Sequence, residues 1–147
     1  MANATDEKWV KRFIDLADNI STWSKDTTKV GAVLVTQSCK IVGQGYNGLL
    51  PGMDDSLLLI NDREFKIMNT IHAEINALVN LSKGYSTTED LYMFVSKPMC
   101  SNCAKHIALH GITAVYCKSA DNDFNTRWNN TGAKTILKHM GIEYNEI

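Results

Sequence analysis

The sequence has no basic cluster, and this absence limits its partners. Lys and Arg number 15 against 16 Asp and Glu, so the formal net charge is −1. Proteins that neutralise many phosphates carry a basic patch or stripe. We therefore expect no long nucleic-acid partner, although one or two placed cations suffice for a mononucleotide.

The sequence also lacks a long apolar run and a secretory leader. No apolar segment approaches the roughly 20 residues that a membrane-spanning helix needs. The opening segment MANATDEK is polar and acidic where a signal peptide is basic and then apolar. We expect a soluble protein of the cytoplasm with no membrane partner. In a reducing compartment the four cysteines indicate metal or redox chemistry more than disulfides.

Hydrophobic periodicity predicts one domain over residues 1–147. A first helix follows Thr5 and Asp6, with its apolar face on Trp9, Phe13, Leu16, Ala17, Ile20 and Trp23. Two strands at 30–35 and 40–46 read as a hairpin. Helices then follow at 71–81, 100–110 and 133–140, and strands at 91–95, 113–117 and 142–144; residues 53–69 are ambiguous and 119–130 form a polar stretch. This order predicts a three-layer α/β/α sandwich with a mixed five-stranded sheet.

Two short motifs carry the chemistry, His72-Ala73-Glu74 and Cys100-Ser101-Asn102-Cys103. Imidazole and thiolate are the usual zinc ligands. Cys100 and Cys103 share one face at the start of a predicted helix, whose positive end favours thiolates. His72 begins the other helix. Three protein ligands leave one position for water, as in catalytic zinc sites.

Glu74 stands two residues after the predicted ligand His72. At a helix start it can lie beside the zinc-activated water without binding the metal. There it can accept a proton and pass one to a departing nitrogen. We predict Glu74 as the catalytic acid and base.

Other interpretations of the motifs remain open at this point. Cys100 and Cys103 alone fit a redox pair with a reversible disulfide. A fourth ligand from Cys39 or Cys117 would make the zinc structural. We favour both of these cysteines as small apolar residues.

The chain resembles the cytidine deaminase superfamily and, within it, the deoxycytidylate deaminases. The motif pair follows the zinc-deaminase pattern. Further similarity is carried by Ser24-Lys25-Asp26, Thr28-Lys29-Val30-Gly31-Ala32-Val33, Gly45-Tyr46-Asn47-Gly48, His72-Ala73-Glu74-Ile75-Asn76-Ala77, Cys100-Ser101-Asn102-Cys103-Ala104-Lys105 and Gly111-Ile112…Val115-Tyr116. The Gly45–Gly48 segment discriminates most, because transfer-RNA adenosine deaminases carry a different sequence there.

Two features depart from the family pattern. Pro98-Met99-Cys100 has one residue between the proline and the first zinc cysteine, where the family has none. Some members bind a second, structural zinc through an insert, but residues 40–71 contain neither His nor Cys. We predict one zinc ion per chain.

The resemblance implies a cytidine deaminase-like fold and hydrolysis of dCMP to dUMP and ammonia, supplying dUMP for thymidylate synthesis. Zinc-activated water attacks C4 while Glu74 protonates N3 and then the amino group. Asn47 contacts sugar or base, although a turn residue is the alternative. Ala32 and the backbone of Ala73 line the pocket. Lys25 is a candidate for the phosphate, and Tyr116 for base stacking or for the core.

The resemblance also implies a homohexamer, activated by dCTP and inhibited by dTTP. Family effector contacts map to Gly45, Tyr46, Asn47, Gly48, Asp54 and Asp55. The apolar run 57–60 fits a subunit interface or burial within the monomer.

Rival functions remain. The enzyme could deaminate a different base, or a base carried by a different molecule, as a deaminase of cytidine, cytosine or transfer-RNA adenosine does. A zinc-stabilised module that binds nucleotides without chemistry is a rival of another class.

Overall fold

A computed structural model describes residues 2–60, 62–84, 87–128 and 130–147. The helices are α1 (Glu7–Ser21), α2 (Arg63–Asn69), α3 (Ala73–Gly84), α4 (Ser101–Leu109), α5 (Asn122–Arg127) and α6 (Asn130–His139). The strands are β1 (Gly31–Thr36), β2 (Ile41–Tyr46), β3 (Leu91–Val95), β4 (Ala114–Cys117) and β5 (Glu143–Glu146). A short 3-10 helix covers Asp55–Leu58.

The five strands form one mixed sheet in the order β2-β1-β3-β4-β5. β1 runs antiparallel to β2 and β3, while β3 pairs in parallel with β4, and β4 with β5. The β1–β2 turn places Cys39 at a positive φ of 68°. The predicted hairpin and mixed five-stranded sheet are confirmed.

Helices cover both faces of the sheet. Side chains that alternate along β1 and β3 divide between two apolar clusters, as the pleat requires. Val33, Val35 and Phe94 pack against α1. Ala32, Leu34 and Met93 pack in the cluster with α3, α4 and α6. The α/β/α layering is confirmed, and no helix in the described ranges is long and apolar enough to cross a bilayer.

The first helix departs from its prediction at the C-terminal end. It ends at Ser21, so Trp23 lies outside it and is 50% exposed. Val10 and Ile14 are buried instead. The helix predicted at 71–81 begins two residues later and ends three residues later than expected, because α3 spans Ala73–Gly84.

Two segments that the sequence left without an assignment contain helices. The ambiguous residues 53–69 contain the 3-10 helix and α2. The polar stretch 119–130 contains α5. In the 57–60 run, Leu58 is fully buried within the monomer, as one of the two predicted roles requires. Leu59 and Ile60 are exposed, and the subunit interface stays a prediction for them.

Gly45 allows α3 to pack directly against β2. A Cβ at this position would lie 2.6 Å from the backbone nitrogen of Ala77 and 2.7 Å from the carbonyl oxygen of Ala73. Asn76 donates to the carbonyl of Tyr46 at 2.9 Å, and Asn80 donates to that of Gln44 at 2.6 Å. These contacts determine where α3 begins, and its first residues carry the predicted chemistry.

Candidate metal centre and active-site cavity

Two helix N-termini bring the three predicted ligands together. His72 directly precedes α3, and its carbonyl accepts from the amide of Asn76 at 3.0 Å. Cys100 is the N-cap residue of α4, and Cys103 lies in its first turn. Nδ1 of His72 lies 3.4 Å from Sγ of Cys100 and 3.3 Å from Sγ of Cys103.

The three donors fit a tetrahedral zinc ion. Their ligand atoms all lie within 4.8 Å of one another. Nitrogen and sulfur ligands at ordinary zinc distances are about 3.5 Å apart. Cys39 and Cys117 do not belong to this group. Cys117 instead donates to the Tyr144 hydroxyl at 3.2 Å. Among the described residues, therefore, no fourth cysteine completes the site.

The two thiols share their protons unequally in the absence of metal. The S–H of Cys103 donates to Cys100, and with His72 alongside this lowers the pKa of Cys100 to about 4. The same hydrogen bond, together with burial, raises the pKa of Cys103. The bond with Cys100 raises the pKa of His72. Cys100 is therefore a thiolate that can bind a cation, and the positive ends of the helix dipoles stabilise its negative charge further.

Glu74 lies in the first turn of α3, beside the ligand group. Only 3% of its surface is exposed, and it lines the same cavity as His72 and Cys100. Burial raises the pKa of its carboxyl group, because the charged form loses hydration. A carboxyl with a raised pKa can exchange protons near neutral pH.

The cavity above these residues has a volume of about 200 Å³. The loop 26–30, α2 and α5 form its walls beside the two helix N-termini. Its lining residues are Asp26, Thr27, Thr28, Val30, Asn47, Arg63, Lys66, Ile67, Thr70, His72, Ala73, Glu74, Pro98, Cys100, Phe124, Arg127 and Trp128.

Asn47 lines the cavity, but its amide group also shapes the loop. Its Oδ1 accepts from the amide of Val30 at 2.9 Å, and its Nδ2 donates to the carbonyl of Thr28 at 2.7 Å. Ser24 donates to the Asn47 carbonyl at 2.7 Å. Asn47 therefore fixes the loop 26–30, which is one wall of the cavity. Any contact between Asn47 and a ligand would depend on these same hydrogen bonds.

The other predicted substrate residues divide between the cavity and distant positions. Ala73 lines the cavity, whereas fully buried Ala32 is not among the described lining residues. Lys25 is exposed and does not line it. Tyr116 packs on the α1 side of the sheet, stacked on Phe94 at 5.1 Å, so the structure does not support its predicted base contact.

The predicted effector segment is largely occupied by structural contacts. Gly45 lies against α3, and Gly48 pairs with Ile71 in an isolated bridge. Asp54 caps the 3-10 helix by accepting from Ser56, which lowers the pKa of its carboxyl group. Asp55 is exposed. Tyr46 is 39% exposed, with its ring 5.9 Å from that of Trp23.

Sequence reasoning missed the lining residues of α2 and α5. The sequence pattern that could have predicted these two helices is an N-capping aspartate three residues before a phenylalanine. Asp62 caps α2 by accepting from the amide of Phe65, and Asp121 caps α5 by accepting from that of Phe124. Residues four apart along α2, α5 and their C-cap residues then face the cavity together, namely Arg63 with Ile67, Lys66 with the C-cap Thr70, and Phe124 with the C-cap Trp128.

Met99, the residue that interrupts the family's proline–cysteine pair, points into the core. It is 1% exposed and packs in the cluster of α3, α4 and α6. Pro98 and Cys100 on either side line the cavity. The additional residue is thus accommodated without displacing the cysteine from the ligand group.

Comparison with known sequences places these motifs in one family. The sequence model described as the cytidine and deoxycytidylate deaminase zinc-binding region matches residues 3–119. Mouse deoxycytidylate deaminase is 32% identical over 146 residues, covering 95% of this chain and 80% of the mouse protein. A protein of Aliivibrio fischeri described as an uncharacterized deaminase is 40% identical over 122 residues, covering 82% of this chain and 80% of its own.

The fold is also similar to a solved structure. The dCMP deaminase of cyanophage S-TIM5, in complex with dCMP and dUMP, superposes with a TM-score of 0.75 at 22% identity. The match covers 97% of this chain and 99% of the phage protein. The shared architecture confirms the predicted cytidine deaminase-like fold.

Proposed function

The chain belongs to the cytidine and deoxycytidylate deaminase family and is a hydrolytic deaminase; from that premise we propose that it converts dCMP to dUMP and ammonia. The observation that carries this proposal is the three-ligand group beside buried Glu74 in a cavity bordered by arginines. The ligand number favours catalysis over a structural metal, and the arginines favour a phosphorylated substrate.

His72, Cys100 and Cys103 would hold one zinc ion per chain. Bound there, zinc supplies a coordination position for water and lowers the pKa of that water to about 7. The 3% exposed Glu74 takes the proton as the water oxygen bonds to C4 of cytosine, and delivers it to N3. The same carboxyl then takes the remaining proton from the new C4 hydroxyl and gives it to the amino group. The C4–N bond breaks with its electron pair on nitrogen, so ammonia leaves as the C4 carbonyl forms.

Two arginines are proposed to bind the 5′-phosphate. Lys66 lines the cavity but is already paired with Asp26. Among the described residues, Arg127 forms an ion pair with Asp123 alone, whose side chain is 81% exposed, so that pair is weak. Within the described ranges no carboxylate forms an ion pair with Arg63. Guanidinium groups suit phosphate because they donate two parallel hydrogen bonds.

Substrate comparison tests the assignment directly. Purified zinc-loaded protein is incubated with dCMP, deoxycytidine, cytidine and cytosine, while ammonia release and the uracil product are measured. We expect dCMP to have the highest kcat/KM. Preference for a nucleoside or free base would refute dCMP as substrate. Bound zinc without turnover of any of them would favour the binding module, and a reversible Cys100–Cys103 disulfide without zinc would favour the redox protein.

The phosphate assignment has its own test. Arg63→Met and Arg127→Met remove a guanidinium but keep an apolar stem. We expect each to raise KM for dCMP about tenfold or more, while the slow turnover of deoxycytidine stays unchanged. Equal losses for both substrates would show that these arginines do not recognise phosphate.

Regulation by dCTP and dTTP is proposed for the surface beside Tyr46. The exposed Tyr46–Trp23 pair offers aromatic surface for a base, and Asp55 can hold the magnesium that accompanies a triphosphate. Activity at low dCMP is measured with each triphosphate, in the wild type and in Tyr46→Ala. Activation by dCTP and inhibition by dTTP that Tyr46→Ala abolishes would support this; insensitivity of the wild type would refute it.

A homohexamer is proposed from exposed apolar side chains near the cavity. Leu59, Ile60, Ile67 and Met68 are each between 57% and 78% exposed, which is characteristic of interaction surfaces. Sedimentation analysis of the wild type and of Met68→Glu tests this, with a hexamer expected only for the wild type.

We place the reaction in the cytoplasm, where reducing conditions keep Cys100 and Cys103 as thiols. There it would supply dUMP for thymidylate synthesis.

A further inference from the structure

Trp128 lies against the zinc ligand His72. The two ring centroids are 5.5 Å apart, and the ring planes meet at 85°, so the edge of one ring meets the face of the other. Trp128 follows α5, outside the residues 3–119 that the family model matches. The family similarity therefore assigns no role to this contact.

On the side away from His72, Trp128 contacts α5 through Phe124. Its ring lies 6.2 Å from that of Phe124, which is 7% exposed. The backbone amide of Trp128 donates to the carbonyl of Phe124 at 3.2 Å. The indole thus lies between a buried phenylalanine and the imidazole, and its position against His72 is coupled to that of α5.

His72 needs such support because, among the described residues, its second ring nitrogen has no hydrogen-bond acceptor. Nδ1 faces the two sulfurs. In the described part of the chain, no group hydrogen-bonds to Nε2. Zinc-binding histidines ordinarily donate this other N–H to a carboxylate or carbonyl, which orients the ring. Here the indole contact is available for the same purpose.

A second observation indicates that the indole is held for more than packing. Nε1 of Trp128 is buried and has no hydrogen-bond partner among the described residues. An unpartnered buried N–H is unfavourable and uncommon, and it calls for a functional explanation. A side chain retained in spite of that cost fits a requirement for a flat aromatic ring against the imidazole.

We propose that Trp128 is a positioning residue that orients the imidazole of His72 for metal binding through this edge-to-face contact. The aromatic face is negative and the edge positive. An edge-to-face pair therefore holds the two ring planes near the observed angle of 85°. The proposal rests on the zinc site of the proposed function and does not depend on which nucleotide is the substrate.

The test measures the metal rather than turnover. Wild type, Trp128→Phe, Trp128→Leu and Trp128→Ala are loaded with zinc, and its release to a chelator is timed. We expect about tenfold faster release from the Leu and Ala variants and near wild-type release from Trp128→Phe. The visible absorption of cobalt-substituted protein should shift in the Leu and Ala variants only, because it reports ligand geometry.

Trp9→Ala is the matched control. Trp9 is also half-buried and stacked on a phenylalanine, Phe13 at 5.6 Å, but it lies on the α1 side of the sheet. It should release zinc like the wild type. If Trp128→Ala proves unfolded by circular dichroism, Trp128→Leu decides the question. Wild-type zinc release and cobalt spectrum in folded Trp128→Leu would overturn the proposal, whatever the substrate assays show.

Discussion

Nζ of Lys66 lies 3.1 Å from Oδ1 of Asp26, with the two side chains only 17% and 7% exposed. Lys66 also donates to the hydroxyl of Thr27 at 3.1 Å. Asp26 Oδ1 accepts from the amide of Thr28 at 3.2 Å. This ion pair joins α2 to the loop 26–30, so two walls of the cavity are held together by one contact between residues 40 positions apart.

Breaking this pair from one side should destabilise the protein. Lys66→Met or Asp26→Asn should each lower the free energy of unfolding by about 2 kcal/mol, because the remaining charge stays largely buried. The double variant should recover part of that loss. Urea unfolding of the three variants measures it. The exposed pair Lys11–Asp15 is the control, and Lys11→Met should cost about 0.5 kcal/mol or less; equal losses at both pairs would contradict the role of burial.

Gly45 should tolerate no side chain. Gly45→Ala places a methyl group 2.6 Å from a backbone nitrogen of α3, so we expect a loss of about 3 kcal/mol in the free energy of unfolding. Gly48→Ala, where an added Cβ meets nothing within 4 Å, should change it by about 0.5 kcal/mol or less. Thermal unfolding of both variants compares them, and similar melting temperatures would rule out this close approach.

Glu74→Gln should separate metal binding from turnover. The amide preserves the shape of the side chain but cannot accept and return protons, so kcat should fall by about 10²–10⁴. Zinc content, measured by mass spectrometry, should remain that of the wild type. The exposed Glu7→Gln serves as the control with unchanged kcat. Substantial turnover by Glu74→Gln would exclude the carboxyl group as the proton carrier.

Removing zinc should expose one unusually reactive thiol. The lowered pKa of Cys100, about 4, makes it a thiolate throughout the range pH 6–8 in metal-free protein. Its alkylation rate should therefore be nearly independent of pH there, whereas an ordinary cysteine reacts about tenfold faster per unit of pH. Burial raises the pKa of Cys117 to about 12, so Cys117 should stay unmodified in the folded chain.

Peptide mass spectrometry after iodoacetamide treatment, with and without chelator, measures these rates. Zinc should protect Cys100. Labelling of Cys100 that climbs tenfold per pH unit, or that ignores zinc, would contradict the proposed site.

The ligand group could be predicted from sequence because its geometry is local. Cys100 and Cys103 lie three apart at a helix start, so the helix itself places both sulfurs on one face. His72 and Glu74 are two residues apart at the start of the other helix. Only the approach of the two helices required the sheet.

Tyr116 shows where sequence reasoning leaves two roles open, a base contact and a core position. All four residues of β4 are buried, so no alternation of polar and apolar residues reveals which side chains face which layer. Tyr116 faces α1, and its neighbours Val115 and Cys117 face α3 and α4. If β4 were shifted by one residue, Tyr116 would face the side of the sheet that carries α3 and α4.

The sequence by itself determined the candidate metal ligands, the candidate proton carrier, and the order of the strands and of helices α1, α3, α4 and α6. Each of these depends on spacing within one element or on patterns along it. Only the tertiary structure decided the cavity walls. Arg63, Lys66 and Trp128 reach the site from helices that are distant in sequence. Contacts such as Lys66–Asp26 and Trp128–His72 depend on how layers pack, and long-range packing leaves no periodic signal in the chain.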